Sequence, residues 1–357
     1  MRLKGVALVT GLLLVLAVGG VWLQKGMRPS RAPGRVGQTL LAGVELSQVK
    51  GVVISKGDET VTLKETPAGW AVVEQQDFPA KEEKILKFLL RLGEAEIGHK
   101  VTENPERLAS LGLLEVSENG GKYENRKTAA SLTLSGEDGK PFLRVLLGND
   151  RSVVDPRPGA AGGGQFIRYP DSKAAYLIPE AFFLDTESNR WLDDKVFPFD
   201  EEKDLKSMRL SRVKAKALAF SRPDEKGKWS LAGTAADGLD QAEVGSLAGR
   251  LGRLTLTGVG KPGMSAKSLG REKLADYELE LFDGRRFTMT MGEKKVGEED
   301  VHYIALSATL SPEAKDKTLQ EGIDDFNARV KGRFLAVFDW EARNLLKVRK
   351  DFLAKKK

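Results

Sequence analysis

The sequence predicts an α+β protein in which an N-terminal transmembrane helix precedes two copies of one repeat, each a mostly antiparallel sheet with packed helices. Three observations lead to this fold class. A charge-free apolar run lies near the N-terminus, alternating stretches joined by tight turns follow it, and the order of the predicted elements recurs later in the chain. The predicted limits are 1–25 for the anchor, 26–40 for a linker, 41–205 for the first α+β repeat and 206–357 for the second.

The predicted anchor covers residues 5–23, which contain no charged side chain. A helix of this length is about 28 Å long, close to the hydrocarbon thickness of a bilayer. A cleaved secretory signal is the alternative, because residues 17–19 (AVG) are small enough for a cleavage site. The apolar run is longer than a typical signal core and continues through Trp22 and Leu23. This length favours an uncleaved helix, followed by a linker rich in Gly, Pro and Arg.

The charges beside this helix bear on its orientation. Arg2 and Lys4 precede it, and four basic residues follow it within residues 24–35. Basic residues favour the cytoplasmic side, so the residues before and after the helix favour opposite orientations. A short basic N-terminus nevertheless usually stays in the cytoplasm, and a long domain is translocated despite basic residues beside the helix. We therefore predict a cytoplasmic N-terminus and an extracytoplasmic body.

The net charge of +6 does not indicate a nucleic-acid partner. Residues 1–35 contain six basic and no acidic residues, which alone accounts for the whole excess. The basic character therefore lies at the chain ends and not on a binding face, so no nucleic-acid partner is predicted. The chain has no cysteine, which excludes disulfides, thiolate metal sites and cysteine nucleophiles.

The first repeat opens with residues that alternate between apolar and polar side chains. Val52 and Ile54, and then Val61 and Leu63, predict a hairpin turning at residues 57–58. A further strand contains Trp70. Residues 80–93 then show apolar side chains at helical spacing, which predicts an amphipathic helix.

The second repeat follows the same order. A strand at residues 218–220 and a strand with Trp229 precede a helix, which Asp240 and Glu243 introduce as a capping box. Trp70 and Trp229 lie 159 residues apart, as do Leu92 and Leu251 in the two helices. Any chain with strands and helices shows such elements, but the shared order favours duplication.

Motifs that carry chemistry are not recognisable. His99 and His302 lack metal-ligand spacing and are predicted to be ordinary solvated or hydrogen-bonded histidines. Residues 260–268 (GKPGMSAKS) depart twice from the phosphate-loop pattern. Acidic pairs such as those at 193–194 and 324–325 fit no calcium loop and are interpreted as solvated. No catalytic, metal-binding or cofactor-binding residue and no cofactor is therefore predicted.

The tryptophans provide the only candidates for a contact surface. Trp70 and Trp229 occupy equivalent positions in apolar strands, which favours the core. Trp191 and Trp340 have polar neighbours, as in NRW at 189–191 and DWE at 339–341. Tryptophan is enriched at interaction sites, so Trp191 and Trp340 are the predicted contact residues.

The chain resembles a known family in the run of one N-terminal helix, a GW strand at 69–70, a helix, LASLGL at 108–113 and VFPFD at 196–200. It is similar to the domain-of-unknown-function family numbered 4340. This resemblance implies a bacterial envelope protein, often encoded beside ABC transporters of the gliding-motility type. No catalytic residue is attributed to that family, so the resemblance implies none here.

Three functions follow as hypotheses. The leading one is a non-enzymatic accessory subunit of a bacterial envelope transport or motility complex, anchored in the inner membrane and bound to a membrane-protein partner. The second is an extracytoplasmic module that binds glycan or peptide in a cleft between the repeats. The third is a hydrolase with an unrecognised pair of carboxylates.

Overall fold

The computed structural model describes residues 35–154, 163–199, 202–212, 215–235, 238–261, 263–264, 275–296 and 298–354. The predicted anchor at 5–23 lies outside these residues, as does most of the predicted linker. Within the described residues, no helix combines the length and the apolar character that crossing a membrane requires.

The first sheet has nine antiparallel strands in the order β4-β3-β2-β1-β6-β7-β8-β9-β5. Its first hairpin forms as the alternation predicts, because Val52 and Ile54 pair with Leu63 and Val61 and all four side chains are buried. Gly57 makes the turn with φ near +64°, which side chains disfavour. The strands are β1 Gly51–Lys56, β2 Glu59–Thr66, β3 Gly69–Val72, β4 Phe78–Pro79, β5 His99–Thr102, β6 Ala130–Ser135, β7 Pro141–Asp150, β8 Gln165–Arg168 and β9 Ala175–Ile178.

The second sheet has eight antiparallel strands in the order β12-β11-β10-β14-β15-β16-β17-β13. The two strand orders can be aligned with β10 opposite β1 and β17 opposite β9. Every strand of the second sheet then has a strand opposite it in the first sheet, and only β4 has none. The limits proposed for the two repeats, 41–205 and 206–357, stay a prediction. The strands are β10 Leu205–Arg212, β11 Leu218–Ser221, β12 Ser230–Leu231, β13 Leu256–Val259, β14 Ala275–Leu281, β15 Arg285–Val296, β16 Glu299–Leu310 and β17 Leu335–Val337.

Helices account for a small part of the described chain. They are α1 Glu82–Glu94, α2 Arg151–Val154, α3 Gln241–Gly252, α4 Lys317–Val330 and α5 Asp339–Leu345. The apolar side chains of the helix predicted at 80–93 are buried in α1, among them Ile85 and Leu92. Asp240 caps α3 as its position predicts, because its carboxylate accepts hydrogen bonds from the backbone N–H groups of Ala242 and Glu243.

The predicted α+β fold class is wrong, because the described residues are mostly β. Two large antiparallel sheets dominate, and the helices are few and separate. Several strands are too short to show a periodic pattern: β4 and β12 have two residues each and β17 has three. Such strands form because a neighbouring strand supplies their hydrogen bonds, and a local pattern does not reveal that neighbour.

The two sheets share one hydrophobic core. A continuous cluster of buried apolar side chains runs from Leu40 to Phe352 and includes residues of both sheets. Polar contacts also cross the junction: the backbone N–H of Val259 donates to the Gln75 side chain at 2.8 Å. The segment at 191–199 bridges to both halves, through Leu192 with Ala80 and Lys195 with Thr255. This shared core places α3 and α5 beside each other.

Candidate contact surface and ligand cleft

A cleft of about 370 Å³ opens between α3 and α5. Helix α3 buries one face, including Val244 and Leu247, and leaves polar side chains on the other. Helix α5 follows β17 directly and buries Ala342 and Leu345. The cleft is lined by Ser246, Arg250, Arg253, Leu254, Trp340, Glu341 and Leu345.

Two arginines of α3 form the basic wall of the cleft. Arg250 is half-buried, and its Nε lies 3.4 Å from the Ser246 hydroxyl, one turn away. Arg253 is exposed, and its guanidinium lies against Gly249. A Cβ atom added to Gly249 would lie 3.0 Å from one Nη atom of Arg253. Neither guanidinium has a salt bridge with an acidic side chain of the described residues. The wall therefore presents two cations whose hydrogen-bond donors are largely free.

Glu341 supplies an acidic group on the opposite wall. Its carboxylate oxygens lie 3.2 and 3.4 Å from the Thr255 hydroxyl, which donates to them. Burial raises the pKa of the Glu341 carboxyl, and the hydrogen bond from Thr255 only partly opposes this effect. The carboxyl is thus a hydrogen-bond acceptor with a smaller tendency to ionise than an exposed glutamate.

An exposed aromatic pair borders the cleft. The rings of Phe338 and Trp340 stack with their centres 6.1 Å apart and their planes at 27°. Their exposed fractions are 46% and 57%, which is high for side chains of this size. Trp340, one of the two predicted contact residues, therefore lies on the surface and forms part of the cleft.

The other predicted contact residue, Trp191, lies in the core. Only 2% of its surface is exposed, and its indole N–H donates to the backbone oxygen of Asp185 at 2.9 Å. The ring packs edge-on against Phe88 and lies under the ammonium of Lys84. Its polar neighbours in sequence point outward while the ring points inward, so Trp191 offers no contact surface and does not join Trp340.

Comparison with protein families identifies the chain. The family described as Domain of unknown function (DUF4340) matches residues 70–280, which is more than half of the sequence. The chain belongs to this family. No curated protein matches it, and no solved structure matches it.

The DUF4340 match covers only one wall of the cleft. Arg250 and Arg253 lie inside the matched range, whereas Trp340 and Glu341 lie beyond its end. The motifs that carried the resemblance, LASLGL and VFPFD, lie in the matched part and contribute mainly to the core. Leu108, Leu111 and Leu113 are buried, for example. Family membership therefore identifies the scaffold, and the aromatic wall is a feature of this chain's C-terminal part.

Helix α5 is bordered at its start by His302 and held at its C-terminal end by two hydrogen bonds. At its start, Nδ1 of buried His302 lies 3.4 Å from a carboxylate oxygen of Asp339, without the alignment of a hydrogen bond. Asp339 also pairs with Arg343 one turn later. At its end, the Tyr277 hydroxyl donates to the Leu345 carbonyl and Arg212 donates to the next carbonyl at 2.8 Å. The last two bonds satisfy carbonyls that a helix end leaves free and tie the C-terminal end of α5 to β14 and β10.

The structure places the two histidines in different surroundings. His99 lies on β5 and is exposed, which agrees with the prediction of a solvated side chain. His302 lies on β16 beside Asp339 and is buried. Within the described residues, no group of three or more His, Cys, Asp or Glu side chains has the arrangement of a metal site.

Sequence reasoning did not identify Arg250, Arg253 or Glu341. These residues come from two helices about 90 positions apart, and neither helix alone shows a binding pattern. One signal was available in α3, where Gly249 precedes Arg253 by one turn. A glycine inside a helix costs stability, so its presence indicates that a neighbouring group occupies the space of the missing side chain.

Proposed function

We propose that this DUF4340 chain is a non-enzymatic accessory subunit of a bacterial envelope transport or motility complex. It is anchored in the inner membrane by residues 5–23, with its N-terminus in the cytoplasm and its sheets outside. A protein of the complex binds the surface formed by Phe338, Trp340 and the adjoining cleft, which we name the α5 surface.

The observation that carries this proposal is the exposed, stacked pair of Phe338 and Trp340 beside two arginines. Aromatic residues and arginine dominate the binding energy of protein interfaces, especially where an apolar centre adjoins polar groups. Helix α5 follows β17 directly and its C-terminal end is held by two hydrogen bonds, so the pair is preorganised and loses little conformational freedom on binding. The charge-free run at 5–23 and the family resemblance support the membrane and transporter parts of the proposal.

The test is purification of tagged full-length protein from detergent-solubilised membranes of the native host. We expect a membrane protein to co-purify with the wild-type chain. Trp340→Ala should weaken that association roughly 30-fold, as expected for loss of an interface hot spot worth about 2 kcal/mol.

Phe183→Ala is the matched control, because Phe183 is also an exposed aromatic residue, at 83%, but lies outside the α5 surface. Retention of the partner by Trp340→Ala, or its equal loss from both variants, would refute the role of the α5 surface. Absence of a membrane-protein partner from the wild-type chain would refute the accessory-subunit proposal itself.

A second candidate is an extracytoplasmic module that binds glycan or peptide. The cleft favours it, because a concave site with an aromatic wall and a few converging polar groups is typical of ligand binding. The packing at the junction does not favour the cleft predicted between the repeats, since core residues fill that junction. Binding of free oligosaccharides or peptides by the isolated protein, with no co-purifying partner, would support this candidate.

A further inference from the structure

The α5 surface contains two guanidinium groups that have no acidic partner among the described residues. Other helix arginines do have one: Arg91 pairs with Glu180, Arg329 with Asp193 and Arg343 with Asp339. We infer that the cleft between α3 and α5 binds an acidic peptide segment of the partner, whose carboxylate is received by Arg250 and Arg253. This inference rests on the proposed function.

The two arginines are placed to act together. Arg250 lies in the last turn of α3 and Arg253 is the residue that caps its C-terminal end. A guanidinium binds a carboxylate through two parallel hydrogen bonds, which an ammonium group cannot do. The Arg253 guanidinium lies against Gly249, next to the backbone of the last turn of α3, and both arginines line the same cleft.

The remaining lining defines what accompanies the carboxylate. Leu254 and Leu345 line the cleft but are already buried in the core, so the exposed ring of Trp340 is the apolar surface on which a side chain next to the acidic one can pack. Glu341 offers an acceptor for a peptide N–H and disfavours a multiply charged anion such as phosphate. A peptide that alternates acidic and apolar residues supplies a carboxylate to the two guanidinium groups, an N–H to Glu341 and an apolar side chain to the ring of Trp340.

The experiment measures binding of a short fluorescent peptide of alternating glutamate and leucine to the full-length protein in detergent, by anisotropy. The double variant Arg250→Gln/Arg253→Gln should bind roughly tenfold more weakly, as expected for two partly exposed ion pairs. Arg107→Gln/Arg209→Gln is the charge-matched control, since both arginines are exposed and neither lines the cleft. Gly249→Ala, which displaces the Arg253 guanidinium, should also weaken binding while leaving α3 folded.

Several outcomes would overturn the inference. The control pair of substitutions could weaken binding as much as the double variant of the cleft does. The same peptide with glutamine in place of glutamate could bind as tightly as the acidic peptide. Polygalacturonate, a carboxylated glycan, could bind more tightly than the acidic peptide. Circular dichroism of each variant checks that the fold is retained. If a partner co-purifies in a Trp340-dependent manner while the peptide does not bind, the inference fails alone. If the peptide binds but no partner co-purifies, only the accessory-subunit proposal fails.

Discussion

The guanidinium of Arg329 on α4 lies 3.1 Å from the carboxylate of Asp193, in the segment that connects the two sheets. The same guanidinium donates to the backbone carbonyls of Asp193 and Lys195 at 2.6 and 2.8 Å. It also lies 5.0 Å from the ring centre of Phe78, which belongs to the first sheet. One side chain of the second half therefore contacts three residues of the first half and of the connection, namely Phe78, Asp193 and Lys195.

Replacement of Arg329 should destabilise the whole protein. Arg329→Ala removes charge-assisted hydrogen bonds to two carbonyls, and we expect a loss of about 3 kcal/mol in the free energy of unfolding. Arg329→Lys should recover only part of it, because an ammonium group cannot reproduce the planar fork. Chemical denaturation measures the effect, with Arg107→Ala as an exposed control. A loss no greater than that of the control would show that the junction does not depend on this side chain.

Trp70 and Trp229, which the predicted duplication pairs with each other, should contribute similarly to stability. Trp70 and Trp229 are exposed by only 6% and 4%, so Trp→Ala at either site should cost about 3–5 kcal/mol. Because one core joins both sheets, each variant should unfold in a single transition at a lower denaturant concentration. Calorimetry and circular dichroism would reveal this. Two separate transitions, each shifted by only one substitution, would show that the halves unfold independently.

Trp191 and Trp340 should respond to substitution in opposite ways. Trp191→Ala opens a cavity in the core and should cost about 3–5 kcal/mol. Trp340→Ala removes mainly the stack with Phe338 and should cost below about 1.5 kcal/mol. Thermal denaturation of both variants measures this difference. Similar losses of stability would contradict the assignment of Trp340 to a surface.

Glu341 should make stability decrease as the pH rises. Burial raises the pKa of its carboxyl above the ordinary value of 4.5, so the folded chain binds the proton more tightly than the unfolded chain. The stabilising effect is fully present below about pH 4.5 and is lost as the pH rises through the folded pKa. Glu341→Gln keeps an acceptor for Thr255 without ionising.

The difference between wild type and Glu341→Gln should therefore be small in acid and grow towards neutral pH in favour of the variant. Denaturant unfolding of both chains at a series of pH values measures this difference, and other titrating groups cancel in the comparison. A difference that does not change with pH would mean that the carboxyl titrates alike in the folded and unfolded chains.

The N-terminal run should anchor the protein. We expect full-length protein to remain in the membrane pellet through a carbonate wash, and a shortened chain beginning at Val36 to be soluble. Fractionation followed by mass spectrometry measures both. Full-length expression that yields soluble protein without residues 1–19 would indicate a cleaved signal.

The sequence by itself determined the local elements and the family. Apolar spacing at Ile85, Phe88 and Leu92 predicts α1, and the carboxylate of Asp240 predicts the start of α3, because both depend on neighbours within one or two helical turns. Membership of the DUF4340 family was also predicted, since its motifs are contiguous.

Only the tertiary structure decided the fold class and the candidate site. Strands β5 and β13 pair only with the distant strands β9 and β17, so local patterns underestimate the β content. Similar polar neighbours surround Trp191 and Trp340, yet packing against Phe88 buries one ring while the other remains exposed. Arg250 and Glu341 meet because the shared core sets α3 beside α5, and such long-range packing depends on the whole chain and not on any segment.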